Sequence, residues 1–198
     1  MAEAKKRAGR KTAEKKWKGK DWFSISAPDW LGASKVAVTP ATDAKSVKGR
    51  VIEISVPDMT GDQSKYYMRI GLKTQEPAEK NVSTRFHSYY CIDEYVMRMG
   101  RKGLGKVAVF VDAVTKDNWK FQVSVMTIMN RRSNASIKAQ VHGVVRDIIT
   151  SKARELSHGE FVKATMAGVF QMKIKKTASK IYPVRFTEII KIETLKSA

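Results

Sequence analysis

The side chains able to do acid–base, nucleophilic or metal chemistry are few in this chain, and they do not cluster. His87, His142 and His158 lie far apart in sequence. His87 falls on the Ser83/Arg85 side of an expected strand, His142 inside an expected long helix, and His158 at an expected helix start. No nucleophile–base spacing joins them, so each reads as a surface or interface polar residue. Asp58 and Asp62 bracket Met59, Thr60 and Gly61. A calcium loop needs more oxygen ligands than that. Turn chemistry suffices, with Gly61 tolerating positive φ and the Asp side chains bonding local backbone. Asp93-Glu94 suit the first turn of a helix, where acids complement the dipole. Gly100, Gly103 and Gly105, interspersed with Arg101, Lys102 and Lys106, make a basic glycine-rich loop. The P-loop spacing and its Lys-Ser/Thr pair are missing, so contact with an RNA backbone fits better than nucleotide binding. The single cysteine, Cys91, excludes an intramolecular disulfide framework and a cysteine-based zinc site. It fits a reducing, cytoplasmic setting and reads as a small packed apolar group. The expectation is a protein that is not an enzyme and has no metal, cofactor or small-molecule substrate.

What the chain has instead is positive charge. Its 198 residues carry 38 Lys or Arg against 19 Asp or Glu, a formal net charge of +19. Such an excess opposes compaction unless a polyanion neutralises it, and phosphate contacts from Lys and Arg gain free energy by counterion release. The first twenty residues hold nine of the cations, Lys5, Lys6, Arg7, Arg10, Lys11, Lys15, Lys16, Lys18 and Lys20, against two acids. Trp17 stands within the end of this segment and Trp22 just after it, placed either to stack on bases or to dock on protein. A segment so charged, with no apolar period, is expected to be disordered when free. Further cations recur at Lys48 and Arg50, at Arg101 and Lys102, and at Arg131 and Arg132 with Lys138. Arg131-Arg132 stand where a strand hands over to a helix, so guanidinium forks and free backbone N–H groups share one place, a good arrangement for a phosphate. All of these, from Lys5 to Lys138, are the candidate RNA-binding residues. A membrane is not an expected partner, because no apolar run approaches the length of a spanning helix.

The elements that must hold these residues follow from periodicity. Lys35–Thr39 reads as a short strand, and Val47–Val56 as a longer one ended by Pro57. Tyr66–Thr74 alternates and should pair antiparallel with it. Val82–Ser88 is a further strand, residues 92–99 a short helix, and Lys106–Thr115 a Val-rich strand. Asp117-Asn118 turns it into a hairpin partner with Trp119, Phe121, Val123 and Val125 inward. Ser136–Leu156 has apolar residues at helical spacing. Ser157 and Glu160 suggest a capping box for a helix through Ala167. Met172–Ile181 completes the helical part, and Val184–Thr194 returns as a strand. The expected class is α+β: a mostly antiparallel, β-barrel-like sheet with C-terminal helices packed on it. Residues 1–20 form a basic tail and 21–198 a single globular domain, mainly β over 21–128, mainly helical over 129–183, with the returning strand at 184–195.

Several segments resemble one family. KKWKGKDWFSISAPDW at Lys15–Trp30 and SVKGRVIEISVPDMTGD at Ser46–Asp62 are similar to the most recognisable parts of the archaeal and eukaryotic small-subunit ribosomal protein family S3Ae, also called eS1. FHSYYCIDEYVM at Phe86–Met97, MNRRSNASIKAQ at Met129–Gln140 and SKIYPVRFTEIIKIETL at Ser179–Leu195 extend the resemblance in order over nearly the whole chain. Without the long C-terminal extension of eukaryotic members, the chain resembles the archaeal type. The resemblance implies a structural constituent of the small ribosomal subunit with no catalytic role. It implies a position on the platform near the messenger exit, contact with small-subunit ribosomal RNA near its 3′ end and with neighbouring platform proteins, and proximity to messenger RNA. It also implies a barrel-like sheet with packed helices and a basic N-terminal tail. The competing expectation is a free-standing single-stranded RNA-binding module that is not stably part of the ribosome.

Overall fold

The computed structural model describes residues 19–32, 34–78 and 80–196. The strands are β1 (Asp21–Ser26), β2 (Lys35–Ala41), β3 (Val51–Ser55), β4 (Met68–Ala78), β5 (Asn81–Cys91), β6 (Gly105–Val114), β7 (Lys120–Met129) and β8 (Val184–Lys196). The helices are α1 (Val56–Thr60), α2 (Asp93–Met99), α3 (Ala135–Glu155), α4 (His158–Met166) and α5 (Val169–Ala178). Strand pairing is open-ended, in the order β2-β1-β5-β8-β7-β6, with β4 pairing both β3 and β5. The class is α+β, as expected. The described residues divide into two compact units, one of residues 19–52 and Lys73–Arg85, the other of Glu53–Leu72 and residues 86–196. The expected tail at 1–20 lies outside the described residues as far as Lys18.

In the first unit β1 pairs antiparallel with β2, Phe23 opposite Thr39 and Ile25 opposite Ala37. It pairs parallel with the start of β5, Ile25 opposite Val82. The sequence pattern predicts no strand over 21–34, yet Phe23, Ile25 and Ala27 alternate inward. Phe23, Ile25, Ala41, Val47 and Val82 form the core, with Ala37 and Ile52 against it. Buried Thr74 donates its hydroxyl to the Val47 carbonyl at 2.6 Å. The same carbonyl also accepts from the Arg50 N–H at 3.4 Å, at the end of a 3₁₀ turn, Ala44–Val47, that occupies the expected start of β3. Pro57, expected to end a strand, instead opens α1. Its fixed φ suits a first helical turn, where the missing N–H costs nothing.

The second unit is built on β6, β7 and β8. Along β6 buried and exposed residues alternate without a break, the pattern of a strand with one face in a core. β7 pairs antiparallel with β6 and with β8. α3 packs on β6, and α5 lies against α3, α4 and β8. Val141, Val145, Ile149 and Ala153, four residues apart, bury one stripe of α3. An aromatic ladder runs through the interior: Phe86 meets Phe121 edge-on at 5.9 Å, Phe121 stacks on Phe161 at 5.9 Å, and Phe161 meets Phe170 at 5.0 Å. The expected capping box of α4 is present: the Ser157 hydroxyl accepts from the Glu160 N–H and the Glu160 carboxylate from the Ser157 N–H. α5 begins three residues before its expected start, because Gly168 takes φ 77° and lets the chain leave α4 and turn at once into the next helix.

Candidate nucleic-acid interface

In the second unit, strand register brings separate cations to one end of the sheet. Met129, the last residue of β7, lies opposite Gly105 of β6 and opposite Val184 of β8. The chain just before β6 (Arg101, Lys102), just after β7 (Arg131, Arg132) and at the start of β8 (Arg185) therefore emerges at the same end. Three hydrogen bonds hold this end together. Gly105 donates its N–H to the Arg131 carbonyl at 3.1 Å, Asn130 donates to the Pro183 carbonyl at 3.1 Å, and the Tyr182 hydroxyl donates to the Arg132 carbonyl at 3.4 Å. A Cβ on Gly105 would stand 2.7 Å from the Arg131 carbonyl oxygen, so the close approach of the two loops requires glycine here. The backbone of Arg131 and Arg132 is thus fixed while both side chains stay exposed.

α3 starts three residues beyond Arg132, and its N-cap, Asn134, makes no side-chain cap bond. The first turn carries no acid, so its N–H groups and Lys138 add to the positive potential. Among the described residues, salt bridges join Lys48 to Glu76, Lys65 to Asp62, Lys152 to Glu155, Lys191 to Glu193 and His158 to Asp117. Arg98, Arg101, Lys102, Arg131, Arg132, Lys138 and Arg185 are in none of them. The chemistry available here is binding of phosphate by charge and by guanidinium forks.

The first unit holds Lys20, Trp22, Lys48 and Arg50. Trp22 is 60% exposed on the face of β1 opposite Phe23 and Ile25, open to stacking. Lys48 pairs with Glu76, whose carboxyl is held below its ordinary value by that ammonium. Arg50 is turned partly inward. Its Nε donates to the Ser46 carbonyl, and one Nη donates to the Thr39 hydroxyl at 2.9 Å and the Pro40 carbonyl at 3.1 Å. That guanidinium braces β2 against the Ala44–Val47 turn. Lys48, Gly49, Lys73 and Arg85 line one shallow groove. Lys5, Lys6, Arg7, Arg10, Lys11, Lys15, Lys16, Trp17 and Lys18 lie outside the described residues.

Arg98, Arg185 and Phe186 were not among the sequence candidates. Arg98 and Arg185 are visible as cations, but it is strand register that brings Arg185 to line the same pocket as Arg98 and Arg101. His158 is pinned in place: its N–H and its ring Nδ1 each lie 3.1 Å from the Asp117 carboxylate, and Trp119 stacks on the ring at 4.6 Å. Trp119 is therefore half-buried at the hairpin tip, whereas Phe121, Val123 and Val125 are in the core as expected. Burial pushes the Cys91 thiol up to about 12, so it is an inert packed thiol. Among the described residues no three His, Cys, Asp or Glu side chains stand close enough to hold a metal ion. No described helix is long and apolar enough to cross a membrane.

The chain is similar to small ribosomal subunit protein eS1 of Archaeoglobus fulgidus, 34% identical over 193 residues, covering 96% of this chain and 90% of that protein. It is 31% identical to the eS1 protein of Methanococcus vannielii, covering 99% of this chain and 90% of the relative. Against that of Pyrobaculum islandicum it is 31% identical, covering 91% and 81%. The description of the ribosomal S3Ae family matches residues 8–198. With that match and these identities over most of its length, the chain belongs to the ribosomal S3Ae family.

Proposed function

We propose that this chain is a structural constituent of the small ribosomal subunit and binds small-subunit ribosomal RNA through backbone charge and shape. The observation that carries the proposal is the convergence of Arg101, Lys102, Arg131, Arg132 and Arg185 at one sheet end, none of them in a salt bridge among the described residues. Relatives named as small ribosomal subunit proteins support the same reading. Double-stranded RNA offers few base edges to side chains, so contact through phosphates and 2′-hydroxyls is the mode these residues suit. The partners are small-subunit ribosomal RNA and neighbouring proteins of the platform near the messenger exit, with messenger RNA close by, in the cytoplasm.

Sucrose-gradient sedimentation of a native lysate tests the assignment. The chain should travel with small subunits and stay with them through a moderate salt wash. Recovery at the top of the gradient would favour the free-standing RNA-binding module instead. Crosslinks from Arg131 and Arg132 should map to small-subunit ribosomal RNA, and crosslinks from the protein surface to platform proteins.

A further inference from the structure

We infer that the pocket between α2, the loop that follows it and the start of β8 receives one unstacked RNA nucleotide, its base against Phe186 and its phosphates on Arg98, Arg101 and Arg185. The inference rests on the RNA-binding reading above and names where sequence-independent contact gives way to capture of a base.

The cavity holds about 280 Å³ and is lined by Tyr95, Arg98, Met99, Arg101, Leu104, Arg185 and Phe186. Its walls combine apolar surface with guanidinium groups, and no carboxylate is among them. None of the three arginines forms a salt bridge among the described residues. Like charges gathered on an apolar floor repel one another until an anion enters. The floor is built to stay in place: Tyr95 stacks on Tyr67 with ring centroids 3.8 Å apart and planes 11° apart. The Arg185 guanidinium lies 5.3 Å from the centre of the Phe186 ring. Phe186 is nevertheless 45% exposed, so an aromatic–cation pair is presented to solvent at the mouth.

Those features fit an unstacked nucleotide. RNA is read in sequence mainly where bases leave the helix and lie on aromatic rings or arginine planes. A paired base cannot enter a concave pocket of this size, whereas a single splayed one can extend the Arg185–Phe186 stack. Lys102, Arg131 and Arg132 lie at the same sheet end and can hold the flanking phosphates. An acidic peptide would satisfy the arginines and leave the stack unused.

The test uses the full-length protein at fixed salt and two RNA hairpins matched in phosphate number. One is fully paired; the other carries a single unpaired 2-aminopurine. The unpaired hairpin should bind about tenfold more tightly, the lower range for one base stacked on an aromatic ring, and its fluorescence should be quenched. Phe186→Leu should abolish the quench and the preference while affinity for the paired hairpin stays within about twofold, which also reports that the variant is folded. Arg185→Lys keeps the charge but loses the plane, and should reduce the preference in the same way. Equal affinity for both hairpins with no quench overturns the inference and leaves RNA binding standing. Failure to bind either hairpin removes the RNA-binding reading and this inference with it. Binding of a Glu-rich peptide that Phe186→Leu abolishes, with no hairpin preference, assigns the pocket to a protein and overturns the inference.

Discussion

Glu188→Gln should make the protein more stable above neutral pH and nearly indifferent to pH between 5 and 8. Glu188 sits on β8 opposite Met126 of β7, half-buried. Burial pushes its carboxyl up from the ordinary 4.5 to about 7, although hydrogen bonds from Gln171 and Tyr67 pull the other way. The same burial raises the Tyr67 and Tyr95 hydroxyls, and the Glu188 charge adds to both. Below pH 4.5 the carboxyl is protonated in folded and unfolded chains alike. As pH climbs to about 7 the unfolded chain releases this proton while the folded one keeps it, so stability falls across that window. At about 1.4 kcal/mol per pH unit the loss has a ceiling of about 3 kcal/mol, and partial exposure of the group brings it nearer about 2 kcal/mol. Gln keeps a carbonyl for Tyr67 and carries no charge to desolvate. Other shifted carboxyls, at Asp62, Glu76, Asp117, Glu155 and Glu160, all lie below their ordinary values. Their contributions fade only as pH falls below about 4 and stay out of the window. Urea unfolding at pH 5 and pH 8, followed by circular dichroism, gives the two free energies directly. If Glu188→Gln loses as much stability as the parent between those pH values, or is the less stable protein at pH 8, the reasoning about this carboxyl is wrong.

Other perturbations address the sheet end, the helices and the tail. Gly105→Ala forces a methyl onto the Arg131 carbonyl and should cost about 1–3 kcal/mol, with weaker RNA binding in the same protein; unchanged stability and affinity would show that the loop approach is dispensable. Ser157→Ala removes the capping box of α4 and should cost about 1 kcal/mol in a urea titration; a loss under a few tenths would mean that packing alone sets this helix start. Deleting residues 1–20 removes nine cations and two acids, and should lower the slope of log affinity against log salt by roughly 0.7–0.9 for each phosphate released. An unchanged slope would take the tail off the binding surface.

Much of the fold was legible because single-face burial imposes a period. The hairpin of β6 and β7 follows from strict alternation, and α3 from apolar residues three and four apart. β1 escaped because it has only two fully inward residues, Phe23 and Ile25, with Trp22 outward and Pro28 two residues beyond its end. α1 escaped because proline both ends strands and opens helices, and only the backbone decides between them. The two units have no linker to betray them: their boundary cuts through β3, β4 and β5, where composition does not change. Arg50 shows the limit of reading charge alone, since its guanidinium spends three hydrogen bonds on its own chain. The cations of the candidate interface were visible one by one. Their meeting depends on register, which no local pattern encodes.

That dependence has a consequence for quality control. Arg101 and Arg185 are separated by more than eighty positions, and they become neighbours only when Met129 stands between Gly105 and Val184. A strand that slips by one residue turns every side chain to the opposite face, so a misregistered copy would scatter the guanidinium cluster and dissolve the pocket. On the proposed RNA-binding role, the guanidinium cluster would therefore also report correct folding, because only a sheet paired in the right frame assembles it.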